Sequence, residues 1–131
     1  MKPKTNLALE TTDSSPFKGN AALEYSAIRS RLTEVLERSG GFEAGIDGLY
    51  VDQVASNTIF LRKADNFLMS NKANEYTFVR VADAKVKLAK IIDNALNQLA
   101  ISRRNRLINQ TEAGLMTELR EAILRGSHDP E

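Results

Sequence analysis

The stretch FVRVADAKVKLAKIIDNALNQLA, residues 78–100, decides the fold. Val81, Ala84, Leu88, Ile91, Ala95 and Leu99 recur along it at steps of three and four, with Ile92 alongside. That spacing puts them on one face of a helix, because about 3.6 residues complete a turn. Upstream, residues 70–77 (Ser-Asn-Lys-Ala-Asn-Glu-Tyr-Thr) read as a short polar connection. Before it, a second long helix is expected from near Ile46 or Asp47 to about Ser70. Its stripe is Ile46, Tyr50, Val54, Leu61, Ala64 and Leu68, broadened by Leu49, Phe60 and Phe67 and interrupted at Ser56-Asn57-Thr58. The interruption reads as a solvated or lightly buried turn, or as a polar layer that fixes register at a subunit interface. Two long helices on a short link imply an antiparallel hairpin, each arm about 35 Å long at 1.5 Å per residue. One more helix does not easily cover such a hairpin on both sides, so identical chains are expected to complete it. Leu61, Leu68, Leu88, Ile91 and Leu99 are the candidate subunit contacts.

Outward from the hairpin, Ala22, Tyr25, Ile28, Leu32, Val35 and Leu36 predict an amphipathic helix over about 20–38, capped by Asn20 and stopped by Gly40-Gly41. Residues 1–19, rich in Lys, Thr, Ser, Asn and Asp, read as a flexible N-terminal arm. Past the hairpin, Leu115, Met116, Leu119, Ala122 and Ile123 predict a last helix over about 112–125, capped by Thr111 and stopped by Gly126. The expected organisation is an arm (1–19), a helical core with the hairpin (20–108), and a C-terminal helix and tail (109–131). The only candidate extended segment is Thr77–Val79. The fold class is therefore all-α: a long antiparallel helical hairpin with an N-terminal and a C-terminal helix, assembling into a ring.

Composition agrees. The chain has 131 residues, 42% of them hydrophobic but only 6% aromatic, with no Trp and no Cys. A core of Leu, Ile, Val and Ala suits helices on helices, and the missing thiols exclude disulfides, thiolate zinc sites and a thiol nucleophile. No apolar run approaches the roughly 20 residues that span a bilayer, and no apolar stretch follows Met1-Lys2-Pro3-Lys4. A soluble, cytosolic protein without a membrane partner is expected. Net charge is +1, but it is unevenly spread. Residues 79–110 hold seven basic and two acidic side chains, whereas residues 111–131 hold two basic and five acidic ones.

The signs of catalysis are missing. His128 is the only histidine and lies in the polar tail, Gly40-Gly41 follows a helix instead of opening one, and the carboxylates are scattered. No enzyme activity, cofactor or metal site is expected. The basic residues invite two readings. Lys85, Lys87 and Lys90 either solvate the outer face of the third helix or contact phosphate. Arg103, Arg104 and Arg106, with Asn105 between them, either contact phosphate or pair with acids of their own or a neighbouring chain.

The order of these features resembles the small subunits of tailed-bacteriophage terminases. Leu32–Gly41 looks like that family's first helix and stop, and Gly45-Ile46-Asp47-Gly48-Leu49-Tyr50 like the opening of its second. Asn94–Leu99 followed by Ser102-Arg103-Arg104-Asn105-Arg106-Leu107 resembles its closing signature, in which Arg104, Arg106 and Leu107 fit an Arg-x-Arg-Leu ending. The likeness covers about residues 21–107. The Gly and Pro common just before that ending are missing, and a further helix follows it. The resemblance implies a non-catalytic viral DNA-packaging adaptor in the host cell cytoplasm. Such a protein forms a ring, binds double-stranded viral DNA and regulates the large subunit that carries ATPase and nuclease. The rival readings are a helical structural assembly protein that never touches nucleic acid, and a helical transcriptional regulator.

Overall fold

The computed structural model describes residues 17–70, 74–104, 107 and 110–128, the last four as backbone only. The expected arm up to residue 16, Asn105, Arg106 and the tail past His128 lie outside the described residues, as does the side chain of His128. The described residues are all-helical with no strand: α1 (Asn20–Arg38), α2 (Ala44–Met69), α3 (Glu75–Ile101) and α4 (Glu112–His128).

Helix ends follow local chemistry. The residue before α1 is Gly19, at φ 64°, and no side chain caps the helix, so Asn20 is its first residue instead of its cap. Gly40 and Gly41 have φ values of 105° and 94°, the left-handed region that glycine enters without a Cβ clash. Through them the Gly41 amide returns to the Leu36 carbonyl at 3.0 Å and closes α1. The Asn74 side chain accepts the Thr77 amide at 2.8 Å, which starts α3 earlier than the apolar pattern indicated and makes Thr77–Val79 helical. Thr111 caps α4 by accepting from the Gly114 amide at 3.0 Å, and α4 continues past Gly126 to His128.

The most extensive packing is between α2 and α3. Ion pairs Asp47–Arg103 and Asp65–Lys85 connect them, with numbers rising along one helix as they fall along the other, so the two run antiparallel. α1 and α4 pack on each other and across one side of this pair. Ile28, Leu32, Val35 and Leu36 of α1 meet Val51, Val54, Ala55 and Ile59 of α2, Leu96 and Leu99 of α3, and Leu115, Leu119 and Ala122 of α4 in one core. Polar bonds rim it. Arg62 pairs with Glu24 of α1 and donates to the Ile123 carbonyl of α4 at 3.0 Å. Arg38 reaches Glu118 at 3.2 Å, and Arg120 reaches Asp93 at 3.7 Å. Phe17, placed in the arm by sequence, is buried, its ring 5.6 Å from Tyr25 and 5.3 Å from Phe60.

Two stripes are rotated from the sequence reading. α2 buries Asp47, Val51, Val54, Ala55, Thr58 and Ile59, and leaves Ile46 and Leu49 exposed. α3 buries Ile92, Ala95, Leu96, Leu99 and Ala100, leaving Ile91 exposed. Both helices touch more than one neighbour, so the buried face lies between two contact directions instead of at the centre of the most apolar strip. Ser56-Asn57-Thr58 is uninterrupted helix, with Thr58 buried in its own chain.

The placement of α4 makes a direct prediction. Leu115 and Leu119 are completely buried, so Leu119→Ala should cost about 2–5 kcal/mol, whereas exposed Leu124→Ala should stay within about 0.5 kcal/mol. Urea unfolding of both variants checks this. Equal small effects would mean that α4 is an appendage.

Candidate nucleic-acid contacts and assembly surface

Arg103 is the principal correction to the basic cluster. Leu88, Ile92, Ala95 and Leu99 face inward at steps of four and three, and Arg103 comes four after Leu99, so it continues the inward stripe past the end of α3. Its guanidinium is fully buried. Nη1 donates to Asp47 Oδ1 at 2.9 Å and to the Leu99 carbonyl at 3.2 Å, while Nη2 donates to Asp47 Oδ2 and to the Gly41 carbonyl at 2.6 Å. Asp47 also accepts the Glu43 amide at 2.8 Å. A forked guanidinium and a carboxylate held in plane satisfy each other through two parallel bonds. Arg103 thus ties the end of α3 to the α1–α2 turn and the first turn of α2, and it presents no group to a phosphate outside.

The other candidates scatter. Arg104 is exposed but pairs with Glu112 at 2.5 Å. The hydrogen bond, followed by the charge of Glu112, raises the Arg104 pKa, and the bond to Arg104 lowers that of Glu112. A lowered carboxylate pKa adds stability above the ordinary Glu range and loses it as pH falls through the lowered value. Lys85 pairs with Asp65 across α2 and α3. Lys87 and Lys90 are exposed, without a carboxylate partner among the described residues. Arg80, exposed and seven residues before Lys87, lies over the Tyr76 ring at 5.6 Å. These three share the outer ridge of α3 with Asp83. Of the described basic candidates, the exposed ones without a carboxylate partner, Lys87 and Lys90, thus lie on α3, whereas Arg104 in the turn after it is exposed but paired.

Three Arg/Ser/Thr-bearing turns of α1 also form an open cleft of about 610 Å³ between that helix and Phe42, lined by Ser26, Arg29, Ser30, Arg31, Thr33 and Glu34. Its charge is largely spent internally. Arg29 reaches Asp52 at 2.7 Å and lies over the Tyr25 ring, and Asp52 accepts from the Tyr25 hydroxyl at 3.3 Å. Burial and then the Asp52 charge push the Tyr25 phenol above its ordinary pKa. Its contribution to stability is full below the ordinary phenol range and is lost as pH rises through the raised value.

The candidate subunit contacts divide differently. Leu99 is fully buried by its own chain and is core, not interface. Leu61, Leu68 and Leu88 are half-buried, Leu61 against the core, and Ile91 is exposed. The pattern around them was not visible in the sequence. No described residue between Ile59 and Ile92 is buried. α1 and α4 cover α2 from Asp47 to about Arg62 and α3 from Arg103 back to about Ile92, and about 25 Å of α3 extends past them at 1.5 Å per residue. Phe67, Met69, Tyr76, Phe78, Val79 and Val86 all lie exposed on this projecting arm.

No family model matches the chain, and neither does any curated protein or solved structure. Among the described residues no group of three or more His, Asp or Glu side chains converges as a metal would require. No described helix is long and apolar enough to cross a membrane.

Breaking the buried pair tests its burial. Arg103→Ala or Asp47→Ala leaves one charge uncompensated in the core, an expected loss of about 3–5 kcal/mol. Asp47→Leu combined with Arg103→Met should recover most of it, and Arg104→Ala should leave the unfolding midpoint near wild type. A wild-type midpoint for Arg103→Ala would place the guanidinium in solvent.

Proposed function

We propose that this protein is a non-catalytic assembly adaptor of the terminase small-subunit kind: a homo-oligomeric ring that binds double-stranded viral DNA and regulates a packaging motor in the host cytoplasm. The observation that carries the reading is the bare α2–α3 arm, a helical hairpin in which no described residue between Ile59 and Ile92 is buried. Isolated helices gain little stability from propensity alone and depend on packing an apolar face. Exposed apolar surface of this extent marks an interaction site, and closed symmetry is the commonest way for identical chains to bury it. The sequence of helix stop, Asp47 opening and Arg-x-Arg-Leu ending at Arg104, Arg106 and Leu107 supports the same family.

The DNA contact in this reading moves to Arg80, Lys87 and Lys90 on the outer ridge of α3. One chain offers few charges, but a ring repeats the ridge once per subunit and the fields add. Each phosphate neutralised releases counterion, so affinity falls steeply with salt. One observation favours a second reading, an assembly protein that binds no nucleic acid: Lys85, Arg103 and Arg104 are all paired with carboxylates of their own chain.

Duplex binding measured across a salt series separates the two. With Arg103 left intact, Lys87→Ala with Lys90→Ala should weaken binding and flatten the salt slope while leaving helicity and subunit number unchanged. No measurable duplex binding by the assembled wild type at low salt would favour the second reading.

A further inference from the structure

The chain ahead of α1 is anchored where the bare α2–α3 arm begins. Glu24, in the second turn of α1, pairs with Arg62, so α1 starts beside the last stretch of α2 that the body covers. Gly19, at φ 64°, turns the chain there. Phe17 is buried, with its ring centre 5.6 Å from that of Tyr25 and 5.3 Å from that of Phe60. The Lys63 ammonium lies over the same ring at 5.7 Å. Tilted and edge-on rings with a cation over one face are mutually attractive, so Phe17 has a defined seat.

The α2 surface that receives Phe17 continues past it. Phe60 and Phe67 are seven residues apart, almost two full turns, so they share one line of the helix about 10 Å long. Phe60 is 45% exposed even with Phe17 against it, and Phe67 is 36% exposed. Lys63, between them, is exposed and meets no carboxylate among the described residues. The ridge is thus two aromatic rings and a cation, covered at one end only.

The sequence ahead of Phe17 has the complementary chemistry. Leu7-Ala8-Leu9 is the one apolar cluster in residues 1–16. Between Leu9 and Phe17 come Glu10 and Asp13 and no basic residue. Eight residues reach up to about 26 Å, more than enough to bring that cluster over Phe67 with the acidic linker passing Lys63.

We infer that the Phe60–Phe67 ridge of α2 is the docking surface for the chain's own N-terminal segment, which lies along it as a strap with Leu7 and Leu9 on Phe67. Area decides the occupant. The uncovered part of the ridge is far smaller than the roughly 800 Å² per partner of an ordinary stable interface, and a separate molecule would also have to offset its lost translational and rotational freedom. A tethered segment is held at a millimolar effective concentration, so a small patch suffices to retain it. Phe17 already fixes its near end on the same ridge. The strap is independent of the adaptor reading: it covers one line of α2 and leaves Val79, Val86 and the basic ridge of α3 uncovered.

A single reporter tests this. The chain has no Trp, so Leu9→Trp in the full chain supplies the only indole. Its emission should lie at short wavelength, resist acrylamide quenching and stay unchanged on dilution. Adding Phe67→Ser should move the emission to that of a solvent-exposed indole, with helicity verified by circular dichroism. Lys63→Glu, at an exposed position, repels the acidic linker and should shift it the same way, whereas Val86→Ser on α3 should leave it at short wavelength. Solvent-like emission from Leu9→Trp alone, or short-wavelength emission that survives both Phe67→Ser and Lys63→Glu, would overturn the strap. So would short-wavelength emission that is lost on dilution, because the segment would then sit on a second copy. Duplex binding and subunit number are separate readouts, so the adaptor reading stands or falls apart from this one.

Discussion

The Asp47–Arg103 ion pair sets the register of α2 against α3, and the placement of every other residue on that pair depends on it. Burying two charges costs desolvation energy that their attraction largely offsets, so the pair contributes little net stability. Its strength lies in what it forbids. Any slide of one helix along the other would leave a carboxylate and a guanidinium buried without partners. The Gly41 carbonyl binds the same guanidinium, so the turn closing α1 is fixed by the same contact that ends α3. With this end pinned, Asp65 meets Lys85, and the rest of the two helices extends away from the body.

The proposed function rests on that extension. α1 and α4 are 19 and 17 residues long, against 26 and 27 for α2 and α3. The shorter helices close a complete core at one end, with Leu115 and Leu119 as deeply buried as Ile28 and Leu32. At the other end no described residue between Ile59 and Ile92 is buried. The body and the arm therefore obey different constraints: the body satisfies itself, while the arm exposes Phe67, Met69, Tyr76, Phe78, Val79 and Val86 beside a basic outer ridge. A ring-forming adaptor is the reading that gives both parts of the arm a role.

Much of the architecture was legible in the sequence, because periodicity and punctuation are local. The α1 stripe, the Gly40-Gly41 stop, the Thr111 cap and the apolar side of α4 all follow from neighbours within a few positions. What was not legible depends on distant contacts. Ile46 and Leu49 belong to the most apolar line of α2, yet α1 and α3 together turn Val51, Ala55 and Ile59 inward instead. Arg103 looked like one of three clustered cations. The signal that separates it from Arg104 is its place four residues after Leu99, on the inward line, with Asp47 waiting 56 positions upstream. The extent of the bare arm required knowing where α1 and α4 end against α2 and α3, which no local pattern states.

Hydrogen exchange resolved by residue, followed across a dilution series, tests the central claim most directly. The amides of 64–69 and 76–91 lie on stretches with no buried residue, and those of α1 and α4 sit in helices that build the core. If arms complete one another between chains, protection in the arm should rise with concentration and disperse on dilution, while protection in the body stays constant. Arm protection that is independent of concentration, and as weak as that of isolated helices throughout, would contradict the account.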